Sequence, residues 1–212
     1  MINLKYKHLI WDWNGTLMND TWLCVEVLNS ILERRRMPRV SVDAYRTQFE
    51  FPIIAYYKRL GFDLDADPFE AISVEFNNEY DRRREECLLH EDAWKILESH
   101  AQAGRSQSIL SASLHERLEE IIEFYQLTSF FHHLLGLGNI YAEGKIALGR
   151  QCINSLDYDR EEILLIGDTV HDFEVATECG IDCVLVSHGH QHEERLDACG
   201  VPVFESLRAI EI

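Results

Sequence analysis

The sequence predicts an α/β fold in which a parallel sheet carries an inserted segment of four helices. Over residues 90–212, short apolar runs alternate with helix-like segments, as in strands joined by crossover helices. Residues 19–89 show helical periodicity without strand-like runs. One further apolar run, HLIW at residues 8–11, precedes the helical segment and ends at Asp12. The first strand is therefore predicted before the insertion and the remaining strands after it.

The inserted helices are separated by residues that cap or break helices. These residues are Asp20, which is predicted to cap the first helix, Ser41 and Pro52 around the second, Gly61 after the third, and the pair Asp67-Pro68 before the fourth. The fourth helix is predicted to run to about Glu86.

After the insertion, strands and helices alternate. The predicted elements are helices at 91–103, 145–155 and 170–180, and strands at 107–111, 133–137, 163–167, 183–187 and 201–204. The segment SLHE at residues 113–116 is a predicted capping box that opens a further helix. Ligands bind outside the carboxyl ends of parallel strands. Asp12, Ser111 and Asp168 each lie at such a predicted end, so we expect them to converge.

Composition indicates an acidic globular protein. Hydrophobic residues make up 46% of the chain and charged residues 27%, and the formal net charge is −17. This charge disfavours binding to nucleic acid and to anionic membranes, and no apolar run approaches the ~20 residues of a membrane span. The six cysteines form no CxxC pair, and the first residues show no signal-peptide pattern. We therefore expect a cytoplasmic protein with reduced thiols.

Four short motifs occur in order along the chain. Residues 12–17 read DWNGTL, Ser111 ends a predicted strand, Lys145 begins a predicted helix, and residues 167–172 read GDTVHD. Together they resemble the four motifs of the haloacid dehalogenase-like superfamily, and the length of the helical insertion is similar to that of its phosphoglycolate phosphatase-like branch. The resemblance covers the whole chain.

The resemblance implies a Rossmann-like parallel sheet core with an inserted four-helix cap. The core would comprise residues 1–18 and 90–212, and the cap residues 19–89. Such a cap opens and closes over the site and excludes water during the transfer. Its side chains would select the substrate.

The resemblance also implies magnesium-dependent hydrolysis of a small-molecule phosphomonoester. A carboxylate that attacks phosphorus forms an aspartyl-phosphate and splits one difficult displacement into two easier steps. Asp12 takes this role. Because Mg²⁺ prefers carboxylate and phosphate oxygens, its implied ligands are Asp12, Asp168, the backbone carbonyl of Asn14, and Asp172, which would hold metal-bound water.

The remaining site residues are implied in the same way. The catalytic set is Asp12, Asn14, Ser111 and Lys145, and the phosphate-binding set is Ser111, Ala112, Lys145, Gly15 and Thr16. Lys145 has a physical argument of its own. A cation is unfavourable at a helix start, so a clamp on the transferring phosphate explains this lysine better than a structural role does.

Asn14 departs from the family pattern, in which an aspartate protonates the leaving oxygen and later activates water. A carboxamide cannot donate a proton in this way, and loss of acid–base help costs about 10²–10⁴-fold in rate. The alternatives are hydrolysis of esters with good leaving groups or with help from another group such as a cap histidine, a slow phosphatase, a phosphate-binding or regulatory module, or a phosphonate hydrolase that uses Lys58. Dehalogenation is disfavoured by Asp168 and Asp172.

Three other features have structural interpretations. The cluster His188, His190 and His192 is predicted to lie in a surface loop rather than to bind metal. The arginine runs at 34–36 and 82–84 are predicted to be solvated helix ends, with contact to a substrate carboxylate as the alternative. The aromatic residues of the cap, Trp22, Tyr56 and Tyr57, are predicted to pack within it. The expected partner is a small phosphate ester, bound by a monomer or a homodimer.

Overall fold

A six-stranded parallel sheet forms the centre of the computed structural model, which describes residues 5–142 and 144–210. The strands are β1 (His8–Trp11), β2 (Met18–Asn19), β3 (Leu88–Leu89), β4 (Ser106–Leu114), β5 (His133–Leu137), β6 (Ile163–Gly167), β7 (Asp182–Val186) and β8 (Val203–Phe204). The sheet has the order β5-β4-β1-β6-β7-β8, and its neighbouring strands are all parallel. The predicted fold class is confirmed.

Helices fill the connections between these strands. They are α1 (Thr21–Arg34), α2 (Val42–Gln48), α3 (Ile53–Leu60), α4 (Phe69–Arg83), α5 (Ala93–Gln102), α6 (His115–Phe124), α7 (Ile146–Asn154), α8 (Val170–Cys179) and α9 (Glu193–Asp197). The first four lie between β2 and β3, in the segment where the sequence predicted four helices. No helix in the described part of the chain combines the length and the apolar character needed to cross a membrane.

Alternating side chains of β1 pack on both faces of the sheet. Leu9 and Trp11 belong to the core beneath α5 and α6, whereas Ile10 belongs to the core beneath α7 and α8. All four residues of β1 are fully buried. A strand covered on both faces reads as a continuous apolar run, which explains the sequence HLIW. The first of these cores continues into α1, so the insertion packs directly onto the sheet domain.

The carboxyl ends of the central strands meet at one edge of the sheet. Trp11 pairs with Ile109 of β4 and with Ile166 of β6. The residues that follow these three positions therefore project from the same edge. This register brings Asp12 and Asp168 together.

Strand β4 is longer than predicted. It continues to Leu114, with a shift in its pairing to β5 between Leu110 and Leu114. The capping box predicted at residues 113–116 is wrong, because α6 begins at His115 without a side-chain cap and Ser113 still lies in the strand. Because of this longer strand, the hydroxyl of Ser113 contacts Asn14 instead of capping α6.

A two-stranded antiparallel ribbon joins the ends of the helical insertion. Met18 pairs with Leu89, and Asn19 pairs with Leu88. Two residues per strand are too few to show an alternating pattern, so these strands were not predicted. The division into a core and a cap at residues 19–89 stays a prediction, and the ribbon lies at both of its boundaries.

Cap signals place several helix ends correctly. The side chain of Ser41 accepts a hydrogen bond from the amide of Ala44 at the start of α2, and Gly61 ends α3 with a φ of 91°. Helix α4 is shorter than predicted, because it ends at Arg83 and a 3₁₀ turn, Arg84–Glu86, follows it.

Candidate active site

Three buried carboxylates lie together at the carboxyl edge of the sheet. Asp12 follows β1, Asp168 follows β6, and Asp172 lies in the first turn of α8. One oxygen from each lies within 4.8 Å of the others. The structure thus brings together three of the predicted metal ligands from two separate strands.

The start of α8 holds Asp172 in place. The backbone amide and the hydroxyl of Thr169 donate to Oδ2 of Asp172 at 3.0 and 2.6 Å, which completes a capping box. Gly167 lies directly behind this carboxylate, and any Cβ at that position would overlap it. The segment GDTVHD is therefore a strand end, a helix cap and a carboxylate site at once.

Lys145 lies between two of the carboxylates. Its Nζ atom contacts Oδ1 of Asp12, lies 2.7 Å from Oδ1 of Asp172, and donates to the carbonyl of Leu110 at 3.0 Å. The side chain is only 3% exposed. Burial disfavours its charge, but the two carboxylates outweigh burial and raise the pKa of Lys145 above its ordinary value.

A histidine holds the backbone at Lys145. The amide of Lys145 donates to Nε2 of His171 at 3.0 Å, and Nδ1 of His171 lies 3.0 Å from Glu174. Lys145 is the residue before α7 rather than part of it, so its position depends on this bond. The role of His171 was not decided by the sequence.

Burial and neighbouring charges act in opposite directions on the pKa of each carboxylate. It raises the pKa of Asp12 well above its ordinary value despite Lys145, and it raises the pKa of Asp168 to about 6. For Asp172, burial is outweighed by Lys145, and the pKa is lowered. Three buried carboxylates face one buried ammonium, so negative charge is in excess, and a divalent cation with oxygen ligands fits this arrangement.

Two glycines let the backbone approach Asp168. A Cβ at Gly15 or Gly189 would overlap the carboxylate, and Gly15 has a φ of +77° that favours glycine. The amide of His190 donates to Oδ2 of Asp168 at 2.6 Å, and the hydroxyl of Thr16 donates to Oδ1 at 2.9 Å. Thr16, predicted to bind phosphate, thus holds a carboxylate.

Asn14 is held by hydrogen bonds on both sides of its amide group. Its Nδ2 donates to Asp20 at 2.8 Å and to the hydroxyl of Tyr80 at 2.9 Å. Its Oδ1 accepts from Ser113 at 2.7 Å and lies 3.4 Å from the hydroxyl of Ser111. The side chain is therefore fixed as a donor toward Asp20 and an acceptor toward β4.

Only some of the predicted phosphate-binding residues line the cavity beside Asp12. Ser111 is fully buried beside Asn14, and Ala112 lines the cavity described below. The amide of Gly15 instead donates to Oδ1 of Asp20 at 2.8 Å. Ser113, predicted as a helix cap, contacts Asn14 and lines the cavity.

Asp20 and His190 form a buried pair that the sequence analysis missed. Asp20 is fully buried, accepts from Tyr80 at 2.6 Å, and has Oδ1 3.3 Å from Nε2 of His190. Nδ1 of His190 lies 3.0 Å from the hydroxyl of Tyr45. Asp20 occupies the N-cap position of α1, but the predicted side-chain cap is wrong, because its carboxylate accepts no backbone N–H of that helix.

The surface-loop prediction is also wrong for His190, which is 5% exposed. Residues after a parallel strand enter the site at the carboxyl edge, and His190 follows β7, so this signal was present in the sequence. Burial opposes protonation, but Asp20 raises the pKa of His190 to about 9. The pKa of Asp20 is correspondingly lowered, although its burial acts in the opposite direction.

A cavity of about 160 Å³ opens beside Asp12 toward the inserted helices. Most of its lining is apolar or aromatic, with side chains that include Leu28, Tyr45, Phe49, Tyr56, Tyr57 and Phe76. Tyr56 and Tyr57, predicted to pack within the insertion, therefore also form a wall of this cavity.

The arginine runs do not reach this cavity. Arg34 and Arg35 pair with Glu75 at 2.6 and 2.8 Å, and Arg84 pairs with Glu120. Lys58 is exposed on α3 and is not part of the cavity lining. The described residues therefore give no support to a substrate-binding arginine from either run or to a lysine-based phosphonate reaction.

Comparison with known proteins identifies the family. A family model described as haloacid dehalogenase-like hydrolase matches residues 9–186. The chain belongs to the haloacid dehalogenase-like hydrolases. This confirms the resemblance drawn from the four motifs.

A phosphoglycolate phosphatase of Aliivibrio fischeri is 25% identical to this family member over 136 residues, which are 62% of this chain and 59% of the relative. The matched segment thus spans about three fifths of the relative's length.

Solved structures share the fold over nearly their whole length. A predicted phosphatase from Clostridium acetobutylicum has a TM-score of 0.83 at 16% identity, covering 97% of this chain and 96% of the other. A predicted phosphoglycolate phosphatase from Haemophilus somnus 129pt has a TM-score of 0.80 at 17% identity, covering 99% and 98%. Protein Tyrosine Kinase A of Mycobacterium tuberculosis has a TM-score of 0.81 at 18% identity, covering 98% and 97%. At these identities the likeness concerns the fold alone.

Proposed function

We propose that this protein is a magnesium-dependent phosphatase that hydrolyses a small-molecule phosphomonoester through an aspartyl-phosphate at Asp12. The observation that carries the proposal is the buried cluster in which Lys145 contacts both Asp12 and Asp172 beside Asp168. A phosphatase among the curated relatives supports the same reaction class. The cavity beside Asp12 supplies room for a substrate.

In the first step, a carboxylate oxygen of Asp12 attacks phosphorus, and the bond from phosphorus to the ester oxygen breaks. The leaving group departs with that electron pair. In the second step, water attacks the phosphorus of the acyl phosphate, which releases phosphate and restores the carboxylate. Lys145 balances charge on the transferring group, and Ser111 is placed to donate a hydrogen bond to it.

Asp12, Asp168 and Asp172, together with the backbone carbonyl of Asn14, would hold Mg²⁺. Bound there, the ion neutralises charge on the phosphate and the carboxylate and so permits their approach. The buried excess of negative charge in this cluster supports such an ion.

A phosphate-binding or regulatory module is the second candidate, and Asn14 is the observation that favours it. Its amide is locked between Asp20 and Ser113, so it cannot act as the acid or base of the reaction. Both candidates bind magnesium and phosphate, and only the enzyme turns over.

Phosphate release from acetyl phosphate and para-nitrophenyl phosphate tests the proposal. We expect turnover with Mg²⁺, none in EDTA, and a loss of at least about 10³-fold in Asp12→Asn. Asp197→Asn, which alters an exposed aspartate, is the matched control. A folded Asp12→Asn protein that keeps its activity would contradict the nucleophile. A folded, magnesium-binding wild type without turnover favours the binding module.

The proposal includes a cytoplasmic location. Every cysteine of the chain is unpaired, and five of the six are buried. Unpaired buried thiols are typical of reducing compartments.

A further inference from the structure

The cavity beside Asp12 has the size and lining of a site for one aromatic ring. It measures about 160 Å³, close to the roughly 150 Å³ of an apolar protein cavity that takes up benzene. Phe49, Tyr56 and Phe76 are among the rings that line it. A cavity lined by ring faces and edges favours an aromatic ligand over an aliphatic one of equal size.

The same cavity offers no uncommitted positive charge within the described residues. Its basic lining residues are Lys145 and His190. Lys145 is bound to Asp12 and Asp172, and Nε2 of His190 lies 3.3 Å from Asp20. A carboxylate on the leaving group would meet no unpaired cation among these residues and would face the charge of Asp20.

Groups that could protonate the leaving oxygen are few among the described residues at the site. The hydroxyl of Tyr56 lines the cavity without a hydrogen-bond partner in the described part of the chain, but burial raises its pKa, which makes it a weak proton donor. Asn14 cannot donate one as an acid. The hydroxyl of Tyr80 donates to Asp20 at 2.6 Å, and the ring nitrogens of His190 lie within hydrogen-bonding distance of Asp20 and Tyr45. A leaving group that departs as a stable anion suits such a site.

We propose that the substrate is the phosphate monoester of an uncharged aromatic alcohol, a phenol, whose ring occupies the cavity between Asp12 and the inserted helices. The inference rests on the proposed function and names its substrate class. When Asp12 attacks phosphorus, the bond to the phenol oxygen breaks and the electron pair leaves as phenolate. Delocalisation into the ring stabilises this anion, so general-acid help from position 14 is not required.

Three aryl and alkyl esters test the inference on the full-length protein with Mg²⁺. The substrates are phenyl phosphate, para-carboxyphenyl phosphate and phosphoglycolate, with acetyl phosphate as a small reference. We expect kcat/KM for phenyl phosphate to exceed that for para-carboxyphenyl phosphate at least about tenfold, which corresponds to roughly 1.4 kcal/mol. The carboxylated phenol is the better leaving group, so chemistry alone predicts the opposite order. Phosphoglycolate is expected to be the poorest substrate.

A matched pair of variants places the effect in the cavity. Asn77 lines the cavity from α4, whereas its neighbour Asn78 is exposed and does not. Asn77→Lys adds a cation to the cavity and is expected to narrow or reverse the preference against para-carboxyphenyl phosphate. Asn78→Lys makes the same charge change outside it and is expected to leave the preference unchanged.

Binding supplies a readout that does not need turnover. In Asp12→Asn, phenyl phosphate with Mg²⁺ is expected to raise the unfolding temperature more than para-carboxyphenyl phosphate does. If the wild-type protein does not hydrolyse acetyl phosphate but Asp12→Asn shows this order of stabilisation, the proposed reaction is overturned and the ligand class stands. The ligand class alone would be overturned if the wild type hydrolyses acetyl phosphate but phosphoglycolate or para-carboxyphenyl phosphate equals or exceeds phenyl phosphate, both in kcat/KM and in stabilisation.

Discussion

The sheet edge and the cavity above it meet at Asp12 but have opposite chemistry. At the edge, three carboxylates and Lys145 lie buried within a few ångströms, and each is held by a named hydrogen bond or ion pair. In the cavity, rings and aliphatic side chains dominate, and the basic groups are already paired. The edge therefore accommodates charged groups, whereas the cavity has no unpaired cation among its described residues for a charge on the ligand.

This difference separates the reaction from its selectivity. The sheet edge is formed by short motifs at strand ends, and the same arrangement can act on many different substrates. The cavity is formed by side chains of the inserted helices together with residues at the sheet edge, and its chemistry decides which leaving group is desolvated at low cost. Asn14, Asp20 and His190 lie where the two regions join. Three predictions probe this boundary.

The largest effect is expected at the edge, in Lys145→Met. Removing the ammonium leaves Asp12 and Asp172 buried without their counter-ion, and breaking such a pair costs about 3–5 kcal/mol. Chemical denaturation in EDTA measures this loss. Mg²⁺ is expected to recover part of it, because a cation again neutralises the carboxylates, while activity stays reduced. Lys58→Met, which alters an exposed lysine, is the control. If Lys145→Met is as stable as wild type in EDTA, the carboxylates at the edge do not depend on Lys145 as their counter-ion.

An intermediate effect is expected where the regions join, in Asn14→Asp. The new carboxyl would lie against Asp20, since Nδ2 of Asn14 is 2.8 Å from it, and the like charge would keep a proton on the pair. We expect kcat/KM for ethyl phosphate to rise by up to about 10²-fold, and that for phenyl phosphate to rise much less. Asn14→Ala, which lacks an acid, is the control. An equal rise in kcat/KM for both esters would show that the effect of Asn14 on the rate does not arise from missing protonation of the leaving group.

The smallest effect is expected from the pair that links the loop after β7 to α1. The pKa of His190 is raised from 6.5 to about 9 by Asp20, against burial. Because the pKa of His190 is higher in the folded protein than in the unfolded chain, its contribution to the free energy of unfolding is complete below pH 6.5 and is lost as the pH rises toward 9. In EDTA, the free energy of unfolding is expected to fall by roughly 1–3 kcal/mol over this range.

Denaturation between pH 6 and pH 9.5 measures that slope. It is expected to flatten in His190→Gln and to persist in His132→Gln, which alters an exposed histidine. If His190→Gln keeps the slope, another group titrates there and the buried pair does not link the two regions.

Particular residues show what could be predicted from the sequence. The run HLIW predicts β1, because a strand buried on both faces has no polar alternation. GDTVHD predicts β6, the start of α8 and a pair of neighbouring carboxylates. The family assignment follows from these motifs and is confirmed. The roles of Asp12, Asn14, Ser111, Lys145, Asp168 and Asp172 remain proposals.

Asp20 and His190 show where prediction from the sequence stopped. Each has a common local interpretation, a helix cap for the first and a loop residue for the second. Both interpretations failed because the partners lie 170 positions apart in the chain and meet only when β7 and α1 are packed. The predicted helix cap at Ser113 failed likewise, since serine is equally common where a strand passes into a turn.

The sequence by itself determined the α/β class, the order of elements and the carboxylates at the strand ends, because hydrophobic periodicity and turn residues are local properties. The tertiary structure alone decided that Lys145 lies between Asp12 and Asp172, that Gly15 turns its amide to Asp20, and that rings from separate segments enclose a largely apolar cavity. These features depend on contacts between distant segments, and burial there sets both the charge state of each group and the chemistry that a ligand meets.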